Sequence, residues 1–264
     1  VKFSDYLKLA GMNWSRLKHM RTSPAAYIWH AENGSADSDD LALGRLTHTL
    51  LFEPGQFDED FAVWHGRRQG KDWDSFEATH AAKTIITGKD YGRALAMADA
   101  VRASPVAAPY LEGAELEATL QWVDPATGMP CKARADILRA SDRVLADLKT
   151  CMSIDARRFG SAAARLGYPG QFAHYGSGVR HARGWTPAKS VVIAVEKTPP
   201  HEVAVFTFSA EQLDTAAEEV ALLMQRVQEC TASGVWPGRY VDEVPLQLPA
   251  YIDGEIEVEF IEEE

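Results

Sequence analysis

The chain has 264 residues, 46% hydrophobic and 25% charged, which is enough to bury a sizeable core and excludes a disordered polypeptide. No run approaches the ~20 apolar residues of a membrane span, and Val1 to Ala10 lacks the apolar centre of a secretory leader, so a cytoplasmic location is expected. A net charge of −11 excludes a simple basic coat for nucleic acid, although an enzyme acting on DNA needs only a locally positive channel.

In chain order, Asn13 or Ser15 caps a helix containing Leu17 and Met20, and Ser23-Pro24 opens another with Tyr27, Ile28 and Trp29. A polar loop over Glu32 to Asp40 leads to a buried helix through Leu46, His48, Leu50 and Leu51, closed by Glu53-Pro54-Gly55. Phe57 to Gly88 reads as mixed loop and short helix, and Tyr91 to Ala103 as a helix. The period then changes to two. In Glu115 to Trp122, Leu116, Ala118, Leu120 and Trp122 take one face and Glu115, Glu117, Thr119 and Gln121 the other. After a turn at Asp124 to Gly128, the strand Cys131 to Leu138 places Lys132, Arg134 and Asp136 on one face. The strand Arg143 to Lys149 does the same with Leu145, Asp147 and Lys149. Helices over Ile154 to Leu166 and Tyr168 to Ala182 precede strands Ser190 to Glu196 and Glu202 to Phe208. Ser209 with Gln212 forms the capping box of a long helix. The whole reads as one domain over 1–264, with a helical part over 1–110, a core over 111–233 and an irregular tail over 234–264. That tail carries seven acidic residues between Asp253 and Glu264. The three cysteines, Cys131, Cys151 and Cys230, are too few for a four-cysteine metal site and read as reduced thiols.

The chemistry centres on Asp136, Asp147 and Lys149. Ten residues separate the carboxylates across a hairpin, so both reach one hard cation of the Mg²⁺ or Mn²⁺ kind. An Asp-x-Lys triplet alone is usually a solvated pair. Here it interrupts the apolar run Val144-Leu145-Ala146, where a charge is costly without a partner. Glu117 reads equally as a third metal carboxylate or as an exposed strand residue, and Glu115 shares its face. His48 on an apolar helix reads first as a core histidine, and Gln171 and Tyr175 as an ordinary pair one turn apart.

Taken together, these segments resemble the nuclease superfamily named for its Pro-Asp…(Asp/Glu)-x-Lys motif. The likeness is to its RecB-like branch and, within it, to the RecE exonucleases of prophages (exonuclease eight), with lambda exonuclease more distant. The resemblance rests on Gly44 to His48, Glu117 to Trp122, Cys131 to Asp136, Asp147 to Thr150 and Gln171 to Tyr175 in that order, and on Ser15 to Leu17 through Ser23 to Tyr27. Ala135 stands where the motif prefers proline, which alters strand entry but not ligand chemistry. The resemblance implies an α/β, restriction-endonuclease-like αβββαβ core with an N-terminal helical elaboration. It implies metal ligands at His48, Asp136, Asp147 and the Leu148 carbonyl. It makes Lys149 the catalytic lysine, with Glu117, Gln171 and Tyr175 supporting the site. It further implies a phage-type recombination enzyme that degrades duplex DNA 5′ to 3′, releases mononucleotides and leaves a 3′ single-stranded tail. Relatives form trimeric or tetrameric rings and pair with a single-strand annealing protein. Arg16, Arg21, Arg45, Arg67 and Arg68, with Lys71, are the expected phosphate contacts. The competing readings are a structure-selective or single-strand endonuclease on the same fold, an inactive DNA-binding protein and, more weakly, a zinc hydrolase, which lacks the His-Glu-x-x-His spacing.

Overall fold

The computed structural model describes residues 2–34 and 38–245. It begins with short helices α1 (Phe3–Lys8) and α2 (Trp14–Leu17), the second capped by the Asn13 side chain on Arg16 N, followed by a 3-10 turn over Lys18–Arg21. Ser23 caps α3 (Pro24–Asn33) and Ser38 caps α4 (Asp39–Phe52). Beyond a 3-10 turn at Pro54–Gln56 lie α5 (Phe57–Asp60), β1 (Phe61–Trp64), α6 (Lys71–Thr79), β2 (Thr84–Thr87), α7 (Gly88–Ala103) and α8 (Ala108–Leu111). The core follows as β3 (Glu115–Val123), β4 (Pro130–Arg139), β5 (Val144–Cys151), α9 (Ala156–Leu166), α10 (Tyr168–Arg183), β6 (Lys189–Glu196), β7 (Val203–Thr207) and α11 (Ala210–Ser233). The capping box of Ser209 and Gln212 on α11 is present.

The strands β3-β4-β5-β6-β7 form a mixed sheet, antiparallel except where β6 lies parallel to β5. The α9–α10 crossover that joins those two parallel strands supplies a helical layer, as parallel pairing demands. One face packs on α2, α10 and α11 through Trp14, Leu17, Phe172, Val179 and Val227. The other packs on α4 and α7 through Leu46, Leu50, Met97 and Val101. The expected helix, three strands, helix, strand order is therefore present, flanked by helices on both faces.

Three expectations need correction. The N-terminal part is not wholly helical: β1 and β2 form a separate parallel pair within the stretch read as loop and short helix. Each spans four residues, too short to carry a period.

The second correction concerns faces. Ala118, Leu120 and Trp122 share one cluster, but Leu116 packs with the other. Glu117 sits between them with φ 53, a left-handed conformation that breaks the alternation. Opposite it on β4, Ala135 and Ile137 also fall into different clusters. The hairpin thus reverses its facing at Glu117 and Asp136, so Asp136 does not simply share a face with Lys132 and Arg134.

Third, the β4–β5 ladder covers only Ile137↔Ala146, Leu138↔Leu145 and Arg139↔Val144. Beyond it the strands part, and the N-terminal segment takes the vacated edge of β4. Met12 N donates to Pro130 O and Lys132 N donates to Met12 O, both at 2.8 Å. Buried Lys132 reaches the carbonyls at the end of α1, donating to Tyr6, Leu7 and Leu9. That satisfies both the amine and the helix terminus. Of the tail expected over 234–264, residues 246–264 lie outside the described residues, as do residues 35–37 of the polar loop.

Candidate metal centre

The opening between β4 and β5 is where the ionisable groups converge. With no strand-to-strand bond available there, the Leu148 amide donates instead to Asp136 Oδ2 at 2.7 Å. A carboxylate thus stands in for a ladder carbonyl and is held at the fork. From the α4 side, His48 Nε2 lies 3.1 Å from the Leu148 carbonyl oxygen. Its Nδ1 lies 3.4 Å from Asp136 Oδ2 and 3.9 Å from Glu117 Oε1. His48, Glu117 and Asp136 each offer one atom, all within 4.8 Å of one another. Helical spacing alone could not bring His48 here; α4 packing along β5 does.

On the α10 side, Gln171 Nε2 donates to Asp147 Oδ1 at 2.8 Å. The other oxygen, Oδ2, is buried and is met by Lys149 Nζ at 2.5 Å in an ion pair. Lys149 Nζ also stands 4.8 Å above the Tyr168 ring, a cation–π contact that fixes the amine. Tyr175 lies on the same face of α10 as Gln171, which bonds to it. Burial, reinforced by Asp147, raises its hydroxyl well above the phenol range, so it stays neutral.

Electrostatics give the cluster its character. Burial, then the neighbouring Asp147 carboxylate, pushes Asp136 far above the usual carboxylate range. Burial alone would lower His48, but Asp136, Glu117 and Asp147 outweigh it and raise the imidazole to about 9. Lys149 is also raised: its burial is outweighed by Asp147 and Asp136. Crowding at the fork thus favours the protonated forms of Asp136, His48 and Lys149. The donors are hard oxygens plus one imidazole, and His48, Glu117 and Asp136 already place ligand atoms within 4.8 Å of one another. That set fits a divalent cation.

Two residues not anticipated as functional complete the surroundings. Arg134, 6% exposed on a sheet strand, bridges Glu117 Oε2 at 2.7 Å and Glu53 Oε2 at 2.6 Å. It leaves the Oε1 oxygen of Glu117 facing His48. Its burial among the other charged residues of β4, Lys132 and Asp136, is a tertiary feature that no local pattern marked. Tyr168, the first residue of α10, was likewise unmarked. Glu115, the alternative to Glu117, instead pairs with Arg183 at the surface.

The expected DNA contacts are scattered. Arg16 donates to Ala31 O, and Arg21 is engaged with Glu219 at 2.9 Å. Arg45 is half-buried on α4. Arg67 and Arg68 are exposed beside β1, Arg68 bonding Ile85 O and lying 5.5 Å over the Trp73 ring. Lys71 is exposed at the start of α6. None of these joins the central cluster.

A family model described as a PDDEXK-like domain of unknown function (DUF3799) matches residues 13–243. No functionally curated protein matches the sequence. Among solved structures, a candidate exonuclease from Eubacterium rectale aligns over 93% of this chain and 94% of its own, at TM-score 0.64 and 16% identity. A phage-related exonuclease from Haemophilus somnus 129PT aligns over 88% and 100%, at TM-score 0.38 and 11% identity.

Proposed function

The chain belongs to the PDDEXK-like DUF3799 family, and from that premise we propose that it is an Mg²⁺- or Mn²⁺-dependent exodeoxyribonuclease acting on linear duplex DNA. One observation carries the reading. His48, Glu117 and Asp136 offer ligand atoms within 4.8 Å of one another, with buried Asp147 and its half-buried Lys149 partner on the adjoining strand.

Asp136, Asp147, His48 and the Leu148 carbonyl would hold the cation, with Glu117 completing the set directly or through water. The cation would polarise a phosphoryl oxygen and acidify a bound water. The protein's own groups do the rest. Gln171 fixes the orientation of Asp147 by its 2.8 Å hydrogen bond. Lys149 keeps its proton, so its ammonium can orient the attacking water and offset charge on the phosphorane. The Tyr168 ring prevents the lysine from swinging into solvent. Arg134 holds one Glu117 oxygen so that the other faces the site.

The finer reading is 5′-to-3′ degradation with release of mononucleotides and a 3′ tail, in phage-type recombination. A ring-shaped trimer or tetramer and a single-strand annealing partner belong to it. It is supported by the segmental resemblance to RecE exonucleases. Linear duplex labelled at either end, alongside a circular duplex, tests it. The expected result is metal-dependent early loss of the 5′ label with the circle intact. Cutting of the circle would replace the reading with an endonuclease.

A further inference from the structure

The arginines expected to hold DNA are dispersed, yet a cluster of basic side chains lies near the centre elsewhere. Helix α9, Ala156–Leu166, carries Arg157, Arg158 and Arg165 and no acidic residue. All three arginines are exposed, and none makes a side-chain ion pair or hydrogen bond among the described residues. The adjacent Asp155, which caps the helix on Arg158 N at 3.0 Å, offsets one of these charges and leaves the face net positive. In a protein of net charge −11, three exposed guanidiniums against one carboxylate on a short helix are a local reversal of sign.

Position adds a second observation. Arg157, Arg158 and Arg165 line one surface depression together with Asp155, and Arg165 also lines the next with Lys18. Glu219 borders that second depression but is already paired with Arg21. Arg165 lies close enough to Tyr168 to act on its hydroxyl, and the Tyr168 ring underlies Lys149. Lys18 is half-buried, its amine has no hydrogen-bond or ion-pair partner among the described residues, and the charge of Lys149 bears on it. An ammonium held out of water beside a like charge is unfavourable unless an anion completes the site.

Resting on the nuclease reading, we infer that Lys18 and the exposed face of α9 form a phosphate track that leads a DNA strand to Asp147 and Lys149. Arg165 is the joint between the outer arginines and Lys18. The guanidiniums suit phosphate oxygens through paired N–H donors, and the ammonium acts as a point charge near the reacting phosphodiester. The track reads charge alone and carries no base specificity.

The test is binding of a short fluorescein-labelled linear duplex in chelator, measured by anisotropy over a salt series. It compares wild type with Arg157→Gln/Arg158→Gln/Arg165→Gln, with Lys18→Gln, and with a charge-matched control, Arg143→Gln/Arg180→Gln/Arg226→Gln. Track variants are expected to keep the wild-type melting temperature and Mn²⁺ affinity. The triple variant should bind about tenfold or more weakly, with a log–log salt slope shallower by roughly 0.9 per lost contact. The control should bind as wild type does. Wild-type binding with an unchanged track variant, or equal weakening in the control, overturns the track and leaves the nuclease reading standing. Absence of duplex binding by the wild type itself also overturns the track, while the nuclease reading is decided separately by the metal-dependent end-label assay.

Discussion

At the residue scale, the account assigns separate tasks to neighbouring side chains, so substitutions should fail differently. Lys149→Ala and Asp147→Ala are each expected to reduce metal-dependent DNA degradation by about 100-fold or more. Asp147→Ala should also lose metal affinity, whereas Lys149→Ala should keep it, as calorimetric titration with Mn²⁺ would show. Near wild-type turnover in either would contradict the assigned chemistry. Arg134→Gln strands two carboxylates, Glu53 and Glu117, that it now bridges. Loss of one member of a buried ionic network costs on the order of 3 kcal/mol, measurable as a shift in the urea midpoint. An unshifted midpoint would show that the bridge contributes nothing. The imidazole makes a pH prediction. His48 stands at about 9 in the fold, above its ordinary 6.5. Its contribution is full below the unfolded value and disappears as pH rises through the folded one. Asp136, also raised, acts in the same direction. Metal-free protein should therefore lose on the order of 1–3 kcal/mol between neutral pH and about 9.5. Divalent cation should restore more stability at the alkaline end, since it replaces the departing protons. A flat pH profile in chelator would refute this.

At the element scale, the site exists because two strands part and two helices close on the gap. The apolar run around Asp147 and Lys149 marked those residues in the sequence, since charges there need partners. The caps at Asn13, Ser23 and Ser209 were equally legible because capping is local chemistry. The reversal at Glu117 was not: it depends on a left-handed backbone at a residue whose type does not demand it. The Glu53–Arg134–Glu117 bridge, with partners 81 residues apart on one side, is likewise a product of tertiary contact. Lys132 read as one of a row of polar strand residues, because nothing local indicated that α1 would end above it. The position of α10 depends on very close packing. A Cβ at Gly170 would come within 2.2 Å of the Trp14 ring. Gly170→Ala must therefore displace the helix that carries Gln171. We expect a loss of about 1–3 kcal/mol together with reduced turnover, seen by thermal melting and by degradation assay. Wild-type stability would show that Trp14 can yield.

At the scale of the whole molecule, the opposition is between an acidic protein and a polyanionic substrate. The charge of −11 disfavours loose association, so productive binding must be local and strongly dependent on salt. A ring of subunits, as proposed from the resemblance, would concentrate the few basic surfaces around one duplex. The mixed sheet is shared with the Eubacterium rectale protein at 16% identity, so fold is common ground while activity must be decided at the site.

The most direct measurement is a crystal structure of the protein soaked in Mn²⁺, with anomalous scattering used to locate the ion. The account predicts a peak at the β4–β5 fork, coordinated by Asp136, Asp147, His48 and the Leu148 carbonyl, with Lys149 displaced from Asp147 Oδ2. No ion at the fork, with Lys149 still paired to Asp147, would contradict it.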